Sequence, residues 1–373
     1  MPAEVIDVRN AEDARDVIHR AVEALSKGRL VAIPTETVYG VAASALDEGA
    51  VERLKELKGR EVGHPFALAI KSAEEARDYA PDMSPLANRL ARRCWPGPIT
   101  LVVDDSHPES LIRRLPSSVK EAVSPSGTVG LRVPGHAVVL AILRMLAGPL
   151  ALTSANRQGM SPAVTAEQVI DSLSEDVDLI LDDGPCRFGE ASSVVRVDGD
   201  KLNLLRTGVV PEKTLERLSC MMVLLVCTGN TCRSPMAEAI CRRLLAEKLD
   251  CEADDLEGRG IIVASAGIAA MLGGRASNEA AEVLREMDIN LGDHQTQPLT
   301  GQLVRQADLI YTMTRSHREA IVAQWPESAE RTHLLCADGS DIADPIGGTV
   351  EVYRDCALQM KKELEIRLEE LEL

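Results

Sequence analysis

Met221 to Ser234 reads Met-Met-Val-Leu-Leu-Val-Cys-Thr-Gly-Asn-Thr-Cys-Arg-Ser, an apolar run that passes straight into a short polar loop, with Pro235 immediately after it. Val223 to Val226 has the length and aliphatic character of a buried strand. Proline in a first helical turn loses no amide donor, so Pro235 predicts a helix start. Between strand and helix, Cys227 and Arg233 bracket five residues. A loop of that size, closed by a helix N-terminus, can aim successive backbone N–H groups at a phosphate while the arginine fork grips two of its oxygens. The same amides would stabilise a thiolate on Cys227 and make it a nucleophile at neutral pH. A buried strand-terminal cysteine beside an incidental arginine has the same spacing, so Cys-x5-Arg by itself leaves both readings open.

Downstream, Met236, Ile240, Leu244 and Leu245 make a helical stripe. Strands are predicted at Ile261 to Ser265, Asp308 to Met313 and Thr332 to Leu335, and helices at Asn278 to Met287, Ser316 to Gln324 and Val350 to Leu371. That alternation predicts an α/β fold with a doubly wound, parallel, four-stranded sheet and ligands at the strand C-termini, the first of which carries Cys227. Asp344, in Asp344-Pro345-Ile346-Gly347-Gly348, lies on a Pro/Gly loop; Asp-Pro alone reads as readily as a turn.

The run Cys227 to Glu238, Cys-Thr-Gly-Asn-Thr-Cys-Arg-Ser-Pro-Met-Ala-Glu, resembles the phosphate loop of the low-molecular-weight protein phosphatases, and most of all their protein-arginine-phosphatase branch. The resemblance implies that Cys227 is the nucleophile, Arg233 grips the phosphate and Asp344 is the general acid. Thr228, Gly229, Asn230, Thr231, Cys232 and Ser234 complete the loop, Ser234 donating to the thiolate and Asn230 holding the loop's shape. Cys232 is either a partner for a protective disulfide with Cys227 or a small packing residue, and His294 either supports the loop or faces solvent. Tyrosine-directed relatives carry a bulky apolar residue at the place of Thr231 and aromatic residues where this chain has Ile346, Gly347 and Gly348. A polar, branched threonine suits a guanidinium-linked phosphate, so phosphoarginine on a protein is the expected substrate and phosphotyrosine the alternative; Ile346 departs from the arginine branch, which usually has Phe. This half needs no cofactor.

With 373 residues the chain has room for two to three domains at roughly 150 residues each. Only 2% of residues are aromatic against 45% hydrophobic, so aliphatic side chains must fill the cores. Nine cysteines with no Cys-x2-Cys pair fit neither a disulfide framework nor a structural zinc site and point to a reducing cytosol. A net charge of −17 argues against a broad nucleic-acid-binding surface. The longest apolar stretch, His136 to Leu152, is broken by Arg144, Gly148 and Pro149, so no membrane association is expected, and no secretory signal is visible.

The N-terminal part needs its own account. Ala14, Val17, Ile18, Ala21, Val22 and Leu25 have helical spacing and stop at Gly28. Leu30 to Ile33 is a predicted strand delivering Pro34-Thr35-Glu36-Thr37-Val38-Tyr39-Gly40, hydroxyls and a carboxylate at a strand end, where α/β sheets place ligands; a plain turn fits as well. Helix Glu48 to Lys58 ends in Lys58-Gly59-Arg60, either a polyphosphate grip or a helix C-terminus with favourable positive charge. Trp95-Pro96-Gly97-Pro98 reads as a rigid turn before the strand Ile99 to Val103. Thr128 to Pro134 buries Arg132 in an apolar strand, as a core ion pair or a ligand clamp. Strands at Leu150 to Thr153, Ala191 to Val195 and Leu204 to Gly208 each carry a small polar or basic residue at the edge. No His, Cys or carboxylate cluster offers a nucleophile or a metal cage; the inventory binds and orients anions.

As an ordered set over residues 10 to 212, these segments resemble the threonylcarbamoyl-adenylate synthases (YrdC/Sua5-like), whose domain implies a twisted, mixed, open sheet with helices. The resemblance implies that ATP, L-threonine and bicarbonate give threonylcarbamoyl-AMP and diphosphate, feeding the machinery that makes the t6A modification of tRNA, with ATP taken as its Mg2+ complex. Thr35, Arg132 and Ser192 would then hold threonine, and Lys58, Arg60, Thr128, Ser154, Asn156 and Arg206 the nucleotide. A nucleotide- or RNA-binding module without synthase activity is the alternative. Three positions depart from the family: Glu61 in place of Pro, Gly135 in place of an acidic residue, and Ser193 in place of Thr. The expected layout is a YrdC-like domain at 1–212, a linker at 213–220 and a phosphatase domain at 221–373.

Overall fold

The computed structural model describes residues 2–59 and 65–371, which fall into two units, Met1–Leu218 and Ser219–Leu373. In the first, short aliphatic runs form β1 (Glu4–Asp7), β2 (Val31–Ile33), β3 (Gly40–Ser44), β4 (Ala67–Ala69), β5 (Ile99–Asp104), β6 (Thr128–Arg132), β7 (Leu150–Ser154), β8 (Leu179–Asp182), β9 (Ser193–Asp198) and β10 (Lys201–Arg206). They make one open sheet in the order β1-β8-β2-β3-β7-β4-β6-β5-β9-β10. Parallel pairs such as β4/β6 and β5/β9 mix with antiparallel ones such as β3/β7 and β5/β6, as the expected mixed sheet requires.

Strand side chains alternate between the two faces. Val31 and Ile33 pack with Val17, Ala21 and Leu25 of helix Ala14–Ser26, whereas Ala32 packs with Leu54 of helix Glu48–Lys58 and Leu90 of helix Pro85–Cys94. Each fully buried aliphatic side chain of this kind contributes about 1.5–3 kcal/mol. Helix Glu48–Lys58 starts where Asp47 accepts from Ala50 N and stops at Gly59, which takes the left-handed φ of 54°. The apolar stretch His136 to Leu152 is two elements, helix Ala137–Met145 and β7, parted at Gly148-Pro149. Among the described residues no helix is long and apolar enough to cross a membrane.

Stretch 213–220, read from sequence as a linker, is mostly helix: Glu212–Ser219 buries Leu215 completely in the first unit's core, and Arg93 Nη1 donates to the Leu218 carbonyl at 2.6 Å. The boundary between units falls between Leu218 and Ser219. In the second unit β11 (Met221–Cys227), β12 (Ile261–Gly267), β13 (Leu309–Thr312) and β14 (Thr332–Leu334) form an all-parallel sheet in the order β12-β11-β13-β14. β11 is interior and apolar on both faces. Val223, Leu225 and Cys227 meet one core, with Met236, Ile240 and Met360 from helices Arg233–Leu249 and Val350–Glu369. Met222, Leu224 and Val226 meet the other, with Ile321 of helix Arg315–Gln324. Helices on both faces of a parallel sheet are the doubly wound arrangement, and they put the C-terminal end of β11 where a ligand binds.

Candidate active sites

β11 ends at Cys227, and the helix Arg233–Leu249 begins six residues later with Pro235 in its first turn. Between them the chain folds around the sulfur. Asn230 N donates to Cys227 Sγ at 3.3 Å, and Ser234 Oγ lies 2.9 Å from the same atom. Asn230 sits at φ 55°, a left-handed conformation that asparagine tolerates. Its Nδ2 donates to Ser234 Oγ (3.0 Å) and Ser265 Oγ (2.8 Å), and its Oδ1 accepts from Gln297 N at 2.9 Å. Ser265 in turn donates to Glu238 at 2.6 Å, and burial holds that carboxyl above the usual glutamate value. His294 Nε2 is 3.0 Å from the Asn230 carbonyl, so the histidine supports the loop instead of facing solvent.

Arg233 is buried, with Nη1 donating to the Ile342 carbonyl at 3.2 Å, Nη2 directed at Thr228 Oγ1 at 3.5 Å, and an ion pair to Asp344. Asp344 keeps 41% of its side-chain surface open, on a turn closed by Gly348 N donating to the Pro345 carbonyl at 2.9 Å. The Asp344 loop therefore reaches the rim of the loop between Cys227 and Arg233. All nine cysteines are free thiols, and Cys232 Sγ lies 3.2 Å from the Tyr353 hydroxyl. Thr231 is anchored where Ser277 N donates to its carbonyl at 2.9 Å; Gly229 lies in the same turn.

In the first unit, the strand ends and faces enclose a cavity of about 480 Å³. Thr35, Thr128, Arg132, Ser154, Ser192 and Arg206 all line it. Arg132 forms a buried ion pair with Glu36 at 2.8 Å and donates to Thr37 Oγ1 at 2.9 Å. Its Nε reaches the Gly97 carbonyl at 3.4 Å, so the Trp95–Pro98 turn aims the guanidinium. Arg206 holds the Ser192 carbonyl through Nε (3.1 Å) and Nη2 (2.8 Å). Desolvation of the head group, with the Arg132 charge second, pulls Arg206 below the usual guanidinium value. Arg132 and Arg206, the second with no carboxylate partner among the described residues, make a place for an anion.

Lys58 and Asn156 come together beside this wall and do not line it. The buried Lys58 ammonium donates to the carbonyls of Ser154 (3.1 Å) and Asn156 (2.6 Å) and to Asn156 Oδ1 (2.8 Å), fixing the turn that presents Ser154. Arg60 and Glu61 lie outside the described residues. Ser193 is structural: its hydroxyl donates to the Val210 carbonyl at 2.8 Å and accepts from Val210 N at 3.0 Å.

Residues 23–208 match the Sua5/YciO/YrdC family model, described as telomere recombination. The chain is 35% identical to the threonylcarbamoyl-AMP synthase of Pyrococcus abyssi, over 54% of this chain and 56% of that protein. It is 32% identical to that of Mus musculus, over 58% of this chain and 75% of that protein. The chain belongs to the Sua5/YrdC family. It spans about half the length of the archaeal relative. A solved structure of P. abyssi Sua5 aligns with 25% identity and a TM-score of 0.52, over 70% of this chain and 91% of that one. Residues 222–372 match the low molecular weight phosphotyrosine protein phosphatase model, so a Sua5/YrdC domain and a low-molecular-weight phosphatase domain occupy one chain.

Several residues of these two domains escaped the sequence reading. In the Sua5/YrdC domain, Glu36 is the buried partner of Arg132, and Gly135 leaves room for it, since a Cβ there would lie 3.2 Å from the Glu36 carboxyl carbon. Arg196 also lines the cavity, one two-residue step along β9 from Val194. In the phosphatase domain, Gly267 passes under the phosphate loop, where a Cβ would meet Thr228 O at 2.6 Å and Asn230 N at 2.9 Å. Tyr353 and His317 complete the loop's surroundings. Gly267 at a strand end and the Glu36 carboxylate in the loop at 34–40 were visible signals; the pairings Glu36–Arg132, Thr228–His317 and Cys232–Tyr353 span 89 or more residues and were not.

Proposed function

We propose that this chain is a bifunctional enzyme. Its first domain makes threonylcarbamoyl-AMP, and its second removes phosphate from phosphoarginine in proteins. The observation that carries the first activity is the pair of cavity arginines, Arg132 tied to Glu36 and Arg206 to Ser192, with hydroxyls of Thr35, Thr128, Ser154 and Ser192 around them. The threonine amine and bicarbonate would give a carbamate and water; a carbamate oxygen then attacks the α-phosphorus of ATP, and the bond to the leaving diphosphate breaks. This chemistry needs positioning and charge neutralisation but no covalent residue. Mg2+ would arrive on the triphosphate as part of the ATP complex and neutralise its charge.

In the second domain the supporting observation is a sulfur that accepts a loop amide, with a guanidinium and a carboxyl at the loop's rim. Cys227 Sγ attacks phosphorus, the P–N bond breaks, and Asp344 gives a proton to the leaving guanidine. Water then hydrolyses the cysteinyl phosphate, its proton passing back to Asp344. Phosphoarginine is favoured because Thr231 puts a short polar side chain beside the loop where a phenyl ring would want an apolar wall.

Two assays test the proposal. Diphosphate release must require both threonine and ATP; folded protein without that release ends the synthase reading. Phosphatase turnover on phosphoarginine and phosphotyrosine is measured for wild type, Cys227→Ser and Thr231→Ile. Cys227→Ser is expected to abolish turnover, and Thr231→Ile to move the preference toward phosphotyrosine. Equal rates on both substrates in wild type and Thr231→Ile would defeat the phosphoarginine assignment.

A further inference from the structure

Thr228 follows the nucleophile directly, and its hydroxyl has two neighbours. Arg233 Nη2 points at Thr228 Oγ1 from 3.5 Å, and His317 Nε2 lies 2.9 Å from it. His317 reaches this place from the turn that follows β13. Thr314 caps the helix Arg315–Gln324 there, accepting from His317 N at 3.3 Å, which fixes the ring at the same end of the sheet as Cys227. The side chain is 3% exposed, and its Nδ1 is buried without a hydrogen-bond partner among the described residues.

Burial, with the Arg233 charge second, pushes His317 down to about 4, so the ring is neutral and carries one N–H. A proton on Nδ1 would face no acceptor, and a buried unpaired donor is costly. The proton therefore belongs on Nε2, where it donates to Thr228 Oγ1. With a guanidinium N–H also directed at that oxygen, both lone pairs face donors and the hydroxyl's own proton turns away from them. Thr228 is exposed at the loop, and Ala269 N holds its carbonyl at 2.9 Å, so the backbone cannot rotate the hydroxyl elsewhere.

We infer that His317 is a positioning residue of the phosphatase site, holding the Thr228 hydroxyl so that its proton is aimed at the phosphoryl group bound in the loop. The inference rests on the phosphatase reading. It assigns to this chain one side-chain donor for a phosphoryl oxygen beyond the loop amides and Arg233.

The test uses the full chain with p-nitrophenyl phosphate, which is indifferent to the arginine or tyrosine question, and with inorganic phosphate as a competitive inhibitor. Thr228→Val and His317→Leu are each expected to lower kcat about tenfold and to weaken phosphate inhibition about tenfold, the scale of one hydrogen bond to a charged group. The double variant should lose no more than either single one, because both act through one hydroxyl. His317→Gln, whose amide nitrogen can occupy the place of Nε2, should recover activity to within about threefold of wild type, a rescue expected if the Nε2 donor acts through Thr228 Oγ1. Multiplicative losses in the double variant, or no difference between Gln and Leu at 317, overturn the inference while leaving the phosphatase reading intact. Should His317→Leu fail to fold, Thr228→Val against His317→Gln decides: a full loss in both overturns it. A wild type that neither hydrolyses the ester nor binds phosphate overturns both.

Discussion

The neutral His317 ring couples the phosphatase domain's stability to pH. In an unfolded chain the ring takes up a proton near its ordinary 6.5, whereas the folded protein resists it until about 4, burial and Arg233 opposing the charge and Asp344 and Asp341 partly offsetting them. Between those values the unfolded state binds more protons, so the contribution is complete above about 6.5 and is lost as pH falls toward about 4. His317→Gln should therefore flatten the fall in urea stability over that window relative to wild type, and an unchanged slope difference would refute the assignment. The sequence offered Cys227 and Arg233 through a dense local motif, Asp344 only through the family resemblance, and Thr35, Arg132, Ser192 and Arg206 through ordered short segments; the fold brings the first three to one loop and the other four to one cavity. Their partners were not legible. Glu36 meets Arg132 across 96 positions and His317 meets Thr228 across 89, and only strand register brings such pairs together.

At the scale of elements, the close passage of β12 beneath the phosphate loop has a direct mechanical meaning. A methyl group on Gly267 would strike the backbone at Thr228 O and Asn230 N, which cannot rotate aside as a side chain can. Gly267→Ala is expected to cost about 1–3 kcal/mol of stability and to depress kcat more than KM, measured by urea melts and steady-state turnover; unchanged turnover would show that the loop tolerates the shift. Most strands and helices were readable from aliphatic runs and periodicity, and helix Glu48–Lys58 has the expected bounds. β1, β3 and β8 were missed: β1 and β8 mix carboxylates into runs of four residues, and β3 is small-residue Gly-Val-Ala-Ala-Ser, so none shows a clear aliphatic run or alternation. In the run at 136–152 the strand at Leu150 was expected but helix Ala137–Met145 was not, since a stretch apolar on most sides shows no clear period.

For the whole molecule, each unit has its own pair of cores, and Leu215 assigns helix Glu212–Ser219 to the first. A fragment of residues 1–218 should keep threonine-dependent diphosphate release and unfold cooperatively, while 1–212 should be less stable by about 2–5 kcal/mol through loss of a fully buried leucine. Equal melts of the two fragments would place the helix outside that core. The expected linker instead belongs to structure on both sides. Leu218 is fastened by Arg93 within the first unit, the helix runs to Ser219, and in the second unit Met221 N already donates to the Gly260 carbonyl at 2.7 Å. A protease must draw several residues of unpaired, extended chain into its cleft, and a helix ending at Ser219 followed by a strand from Met221 gives it no such purchase. Limited digestion of the native protein should thus spare the junction and nick loops elsewhere, leaving the two domains on one polypeptide.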